Sequence, residues 1–437
     1  MKHKLVIKLK QHTPLIHFQH DQEGATLRAS EVKPKLDRFI LSRLGQGNYQ
    51  AGIDQAKANG WLIGKGDHPA LDYRMRIEAK AIEKLDINER QKYTQRHAQR
   101  DKPFIQQGNV KYLAKVRRSD RKKIFDLKPY PLFFANLDSD YCNSDEYRRF
   151  SFTDEPIVMI LLSRNTSLYN YISDPDLMND FFFQTNFGTR QSKGFGSFGI
   201  VKNDSFYRPR LSQYRFKLDM DMWEDINYID EEFKKVFECI ELFYKTLRGG
   251  INLKNGHGET LFYFKSLSYL YADGFLNAKW DKRKIKEEFY RIDRNINPNT
   301  YDIRDMLGFS TSEQWLSYGD SVEKSSDVAD RMQSPILFKP IYDDDKSIYT
   351  INILFQDEKV NMDGFKGGQN VTVHSKNHHG PDFRIDLPQS FSTNSFFNYV
   401  FNQIDFDISS HVDEDYQEHV YYEVLEDIFS QIKNNLR

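Results

Sequence analysis

The chain has 437 residues, and its 62 Lys/Arg against 63 Asp/Glu leave a formal charge of -1, so net charge alone calls for no polyanionic partner. That length holds two or three domains with cores of their own, and two cysteines 97 residues apart exclude a disulfide framework or a cysteine-rich zinc module. The longest strongly apolar run is the six residues Ile157–Leu162, where a membrane-spanning helix needs about 20, and MKHKLVIKLK has no signal-peptide core. A soluble, cytoplasmic chain in a reducing compartment, with no membrane contact, is expected.

The neutral total hides an uneven distribution. Between Tyr73 and Lys123 there are 16 Lys/Arg and 6 Asp/Glu, while Phe401–Arg437 has 9 Asp/Glu and 2 Lys/Arg. A basic amino-terminal third suits a polyanion surface; a long solvated helix and a solubilising tail would give the same counts.

Taken in chain order, Leu5, Ile7 and Leu9 alternate with Lys4, Lys8 and Lys10, which predicts a half-buried strand. A polar stretch from His17 to Gly24 follows Thr13-Pro14. Ser30 is then placed to cap a helix whose stripe is Leu36, Phe39, Ile40 and Leu44, with Gly45 and Gly47 ending it. Ile77–Gln99 shows mixed helical patterning, Phe150–Ser163 reads as strand on the strength of the apolar run Ile157–Leu162, and Asp176–Phe183 reads as a short helix. RPRLSQYRFKLDM alternates like a strand, and Phe233–Leu247 carries the clearest apolar helical face. Beyond Gly249-Gly250 come helix signals at Lys282–Arg291 and Asp413–Ile432 and strand signals at Ile336–Ile341 and Ser347–Phe355. No short-period repeat is present, which excludes solenoids and propellers. An α+β unit on each side of a boundary near residues 205–230 is expected.

The segment Phe187–Val201, FGTRQSKGFGSFGIV, is the most informative. Gly194-x-Gly196-x-x-Gly199, with Asp219 about 20 residues on, matches the dinucleotide fingerprint literally. That fingerprint needs a strand before it and a helix opening within it, whereas Ile200-Val201-Lys202 looks like a strand start. Gly64-Lys65-Gly66 likewise lacks the rest of a phosphate loop. The loop's own residues suit single-stranded RNA: cations at Arg190 and Lys193, hydroxyls at Ser192 and Ser197, and rings at Phe195 and Phe198. Gly188, Gly194 and Gly196 permit close backbone approach. A structural hairpin with its aromatics turned into the core fits the same residues.

These residues resemble the RAMP proteins of CRISPR systems, built from RRM-like (ferredoxin-like βαββαβ) units with a glycine-rich loop near the end of the unit. Phe187–Ser197 is similar to that loop. Thr13-Pro14-Leu15 followed by LRASEVKPKL, Leu27–Leu36, resembles an early signature of the family. DRMQSPILFK, Asp330–Lys339, resembles the strand that opens a second unit, most like that of the first-numbered RAMP subunit of the type III-B (Cmr) effector. The three motifs stand in the family's order.

The resemblance implies an α+β chain of two fused RRM-like units with a basic helical insertion in the first. The first domain would span 1–215, with the glycine-rich loop at 187–201 and the insertion at about 73–123. The second would span 216–437 and end in the acidic tail. It also implies contact with crRNA and target RNA backbone by Arg28, Ser30 and Lys33, by Gly188, Arg190, Ser192, Lys193, Gly194 and Gly196, and by Arg331 and Lys339. Other subunits of a type III effector would be its partners. For Arg28 and Arg331 the competing reading is an ion pair inside each half.

No convincing active site emerges. Metal-independent RNA cleavage needs a positioned acid and base, and His12, His17 and His20 are the nearest candidates, with His17 and His20 in a polar stretch. His374, His378 and His379 flank loop-like residues and make a poor zinc site. Asp138/Asp140 and Asp343-Asp344-Asp345 read as solvated turns. The expectation is a non-catalytic RNA-binding subunit without cofactor or metal. The alternatives are an endoribonuclease processing CRISPR transcripts through His17 or His20, and a structural interaction protein that binds no RNA.

Overall fold

The computed structural model describes residues 3–16, 27–64, 69–79, 125–127, 150–153, 155–223, 229–277, 303–309, 311–315, 320–327, 332–357, 368–375, 382–389 and 391–437. The expectations for His17, His20, Asp138, Asp140, Arg331, His378 and His379, for the helix over Lys282–Arg291 and for most of the basic segment lie outside the described residues. The chain divides into two compact units. One comprises Met1–Ser212, Lys217–Phe237 and Lys339–Asn352; the other comprises Gln213–Phe216, Glu238–Phe338 and Ile353–Arg437.

The first unit opens with β1 (His3–Gln11), in which Leu5, Ile7 and Leu9 are buried and Lys4, Val6 and Lys8 face out. After β2 (Leu15–Ile16) come α1 (Ala29–Leu44), α2 (Tyr49–Ala58), β3 (Leu62–Ile63), β4 (Ala70–Leu71) and β5 (Tyr73–Glu78). The chain continues through β6 (Phe125–Leu127), β7 (Phe150–Phe152), β8 (Ile157–Ser163), α3 (Thr166–Ile172), α4 (Pro175–Phe183) and β9 (Phe198–Ile200). Four strands pair antiparallel in the order β5-β8-β1-β9, with Leu5 opposite Leu161, Tyr73 opposite Ser163 and Gln11 opposite Phe198. One helical pair separates β1 from β5 and another separates β8 from β9. One face of the sheet, through Leu5, Ile7, Leu9 and Met159, joins a core with Val32, Leu36 and Ile40 of α1 and Phe181 of α4.

Two local expectations change. The residue before α1 is Arg28, in extended conformation, so Ser30 is already helical and its exposed hydroxyl does not cap the helix. The basic segment also begins as strand, not helix: Tyr73–Glu78 pairs residue for residue with β8, which satisfies its backbone and buries Tyr73.

The remaining elements are β10 (Arg215–Asp219), α5 (Ile229–Arg248), β11 (Ile251–Lys254), β12 (Thr260–Phe264), α6 (Leu267–Gly274), α7 (Ile303–Met306), β13 (Ser312–Trp315) and β14 (Asp320–Ser326). They continue as β15 (Ile336–Asp343), β16 (Ile348–Phe355), β17 (Asn370–Ser375), β18 (Phe383–Asp386), α8 (Thr393–Asn398), α9 (Ile408–His411) and α10 (Val420–Leu436). Three strands lie in the order β10-β16-β15, two as β11-β12 and four as β13-β14-β17-β18. The helix expected from Asp413 starts at Val420, because Glu414–Tyr416 is a separate 3-10 turn and His419 caps α10 through its ring nitrogen. In the second unit Phe243 packs against Phe216, Phe338 and Phe429, and Lys324 donates to Asp305 at 2.8 Å with both side chains buried. The fold class is α+β. Among the described residues no helix is long and apolar enough to cross a membrane.

Candidate functional site

The glycine-rich loop is a tight turn of chain closed by a bridge between Asn186 and Ser197 and by a bond from Phe187 N to Gly196 O at 2.9 Å. Gly188, Arg190, Gly194 and Gly196 all have positive φ, from +57° to +89°. At Gly196 a Cβ would lie 2.0 Å from the carbonyl oxygen of Phe187, so only glycine fits.

Residues far away in sequence fasten this loop. Thr13 Oγ1 donates to Gly194 O at 2.6 Å and accepts from Ser197 N at 3.0 Å, while Gly196 N donates to Pro14 O at 2.8 Å. On the first turn of α1, Glu31 Oε1 accepts from Gly188 N. One turn later Lys35 Nζ donates to Asn186 O at 3.0 Å and to Gln191 Oε1 at 2.9 Å, and lies 4.8 Å from the centre of the Phe187 ring. From β15, Lys339 Nζ donates to Thr185 O, Asn186 Oδ1 and Phe198 O at 2.9, 3.1 and 2.8 Å. The Thr13-Pro14 pair, the start of α1, the loop and Lys339 are therefore one hydrogen-bonded constellation.

That constellation sorts the sequence-derived residues. Arg28 stands half-buried at the start of α1, Ser30 is exposed in its first turn, and Arg190 is half-buried on the loop in left-handed backbone. Lys33 points elsewhere. It pairs with Asp37 at 2.6 Å, donates to Leu71 O at 3.1 Å and lies 4.2 Å from the Tyr73 ring centre, tying α1 to β4 and β5. Burial and the nearby Asp37 carboxylate push the Tyr73 hydroxyl well above its ordinary pKa. Ser192 and the Lys193 amine are buried within the loop. Arg331 lies outside the described residues.

Lys339 corrects the sequence reading most clearly. Its side chain is enclosed, and its Nζ lies within hydrogen-bond distance of three protein acceptors, so it holds the loop's base in place of reaching outward. Burial, with Lys35 nearby, lowers its pKa well below the usual lysine range. The stacking rings are also turned inward. Phe195 stacks on Phe237 at 3.8 Å between centroids, and Phe198 meets Phe187 edge-on at 5.8 Å. Sequence reasoning missed Glu31 and Lys35 as fasteners; their i,i+4 spacing in the first turns of α1 was the available signal.

The other candidates have structural roles. His12 is buried, and its Nδ1 accepts from Tyr342 N at 3.1 Å. Lys202 bonds Asp343 at 2.7 Å and Asp345 at 3.2 Å, and Lys10 bonds Asp344. The Lys202 bond holds the Asp343 carboxyl below its usual range. His374 pairs with Asp382 at 2.8 Å in solvent. Among the described residues no group of three or more His, Cys, Asp or Glu side chains is placed to hold a metal ion.

Residues 2–251 match the family model described as the Cmr1 N-terminal domain, and residues 263–434 match the Cmr1 C-terminal domain. A comparison with curated proteins gives no match. Among solved structures the chain is similar to a chain of a "Cryo-EM structure of the Type III-B Cmr-beta bound to cognate target RNA", at 9% identity and a TM-score of 0.24. The similarity covers 46% of this chain and 59% of that one, so the chain spans about three fifths of the matched protein's length. With both domain models matched in order along its length, the chain belongs to the Cmr1 family, the first-numbered RAMP subunits of type III-B CRISPR effectors.

Proposed function

We propose that this chain is a non-catalytic subunit of a type III-B CRISPR ribonucleoprotein that holds the backbones of crRNA and target RNA, at a site made by the glycine-rich loop and the first turn of α1. The observation that carries this reading is the fastening of Gly188 N to Glu31, which ties the loop bearing Arg190 to the helix start bearing Arg28 and Ser30. Backbone N–H groups at a helix start, guanidinium groups and hydroxyls all donate to phosphate oxygens. Because Phe195 and Phe198 pack inside, the surface grips backbone and does not stack bases.

The two-unit architecture of the family is part of the same reading. In the first unit the strand order β5-β8-β1-β9, with helices after β1 and after β8, is the order a βαββαβ unit adopts. The three-stranded sheet repeats it: β10, α5, β15 and β16 occur in that sequence and the sheet order is β10-β16-β15, as β1-β8-β5 is in the first. Both sheets support an RRM-like duplication.

The test is fluorescence anisotropy of 5′-labelled single-stranded RNA with the purified chain in EDTA over a salt series. Binding that weakens with salt, and is weakened about fivefold further by Arg190→Ala with a smaller salt slope, supports the proposal. RNA cleavage in EDTA would favour the nuclease alternative. Absence of binding at low salt would contradict a site complete within this chain.

A further inference from the structure

The face of the first-unit sheet turned away from the helices carries a pattern the RNA site does not use. Residues opposite each other in antiparallel strands share a face. The register sets three rows across β1, β8 and β5: Lys4–Leu162–Arg74, Val6–Ile160–Arg76 and Lys8–Val158–Glu78. The central column is wholly branched aliphatic and only half-buried, and Val6 beside it is 41% exposed. Lys4, Lys8, Arg74 and Arg76 are exposed on either side, and only Arg76 has an ion-pair partner among the described residues, Glu78 at 2.8 Å.

We infer that this face docks an acidic amphipathic helix of a partner protein. Adjacent strands stand about 4.8 Å apart, so cations flank the apolar column at about that distance on both sides. From Val158 to Leu162 the column runs about 13 Å, some two and a half helical turns. A helix laying an apolar i, i+4, i+7 stripe along it would carry its flanking carboxylates to the cations. The chemistry separates this occupant from RNA: bases stack on aromatic rings, and none of the nine positions is aromatic. The inference rests on the effector-subunit reading only in where its partner is sought.

The experiment is competitive incorporation of tagged full-length chains into a type III-B particle reconstituted with its other subunits and crRNA. Lys4→Gln/Lys8→Gln/Arg74→Gln is set against wild type, with the RNA affinity of each isolated chain measured in parallel. The expected result is about tenfold weaker incorporation of the triple variant with RNA affinity changed less than about threefold. Arg190→Ala should give the reverse pattern. If the triple variant does not fold, Val6→Asp, a single change at an exposed position, takes its place with the same expectation. Equal incorporation, or a loss of RNA affinity that matches the loss of incorporation, overturns the docking face and leaves the subunit reading standing. A wild-type chain that does not enter the particle overturns both.

Discussion

Glu31, on the first turn of α1, accepts a hydrogen bond from the backbone N–H of Gly188 across 157 residues of sequence. The same carboxylate lies 3.6 Å from Lys35, which itself bonds Asn186 and Gln191 on the loop. Glu31→Ala should cost about 1–2 kcal/mol of stability and speed amide exchange over residues 186–197 more than elsewhere in the unit. Exchange unchanged in that segment would show that the loop is held without this bond.

Lys339 should behave as a fastener. Lys339→Met leaves Thr185 O, Asn186 Oδ1 and Phe198 O without their donor and should destabilise the chain by about 2–4 kcal/mol at neutral pH in denaturant unfolding. The pH dependence has a definite sign. The amine's pKa is lowered in the folded chain, so between that value and the ordinary 10.5 the unfolded state binds more protons. Its contribution to stability therefore grows as pH rises through that window and shrinks as pH falls. The stability gap between wild type and Lys339→Met should widen from pH 7 toward pH 10; a narrowing gap would contradict the buried placement.

Two glycines with left-handed backbone should respond unequally to alanine. At Gly196 the added methyl meets Phe187 O at 2.0 Å, so Gly196→Ala should cost more than about 3 kcal/mol or abolish the loop. Gly47 has φ of +94° and open space around it, so Gly47→Ala should cost about 1 kcal/mol. Thermal unfolding of the pair separates the two costs, and equal shifts would contradict the close approach of Gly196 to Phe187.

Asp180 lies between Arg43 and Arg210, each at 2.6 Å. Burial raises its pKa, but the bonds and charges of the two guanidinium groups outweigh burial and hold it below the usual carboxylate range. Its contribution is thus present above the ordinary carboxylate pKa and lost as pH falls through the lowered one. Asp180→Asn should cost about 1 kcal/mol at pH 7, and the difference from wild type should vanish in strong acid. A difference that persists in acid would assign the effect to packing.

Periodic elements were legible in the sequence because one face of each is buried. The alternation of β1, the run of β8 and the apolar face of α5 all follow from that burial. Ser30 is a good capping residue by type, yet the cap position falls two residues earlier, at Arg28, and the backbone is already helical at Ala29. The site was legible as a set of motifs but not as a mechanism of assembly. A lysine that faces three protein oxygens, as Lys339 does, reads in sequence like one that faces a phosphate. Phe195 and Phe198 likewise carry no mark that distinguishes a ring stacked on Phe237 or Phe187 from one offered to a base. The strand at Tyr73–Glu78 was hidden by its cations, which sit on the outward face of a sheet edge.

The most direct measurement of the central claim is ultraviolet crosslinking of uniformly labelled single-stranded RNA to the full-length chain, with the crosslinked peptides mapped by mass spectrometry. Crosslinks are expected in the peptides containing Arg28–Ser30 and Gly188–Arg190, lost at high salt, and none on the sheet-face peptide containing Lys4 and Val6. Crosslinks concentrated on that sheet face, with the loop peptides unmodified, would contradict it.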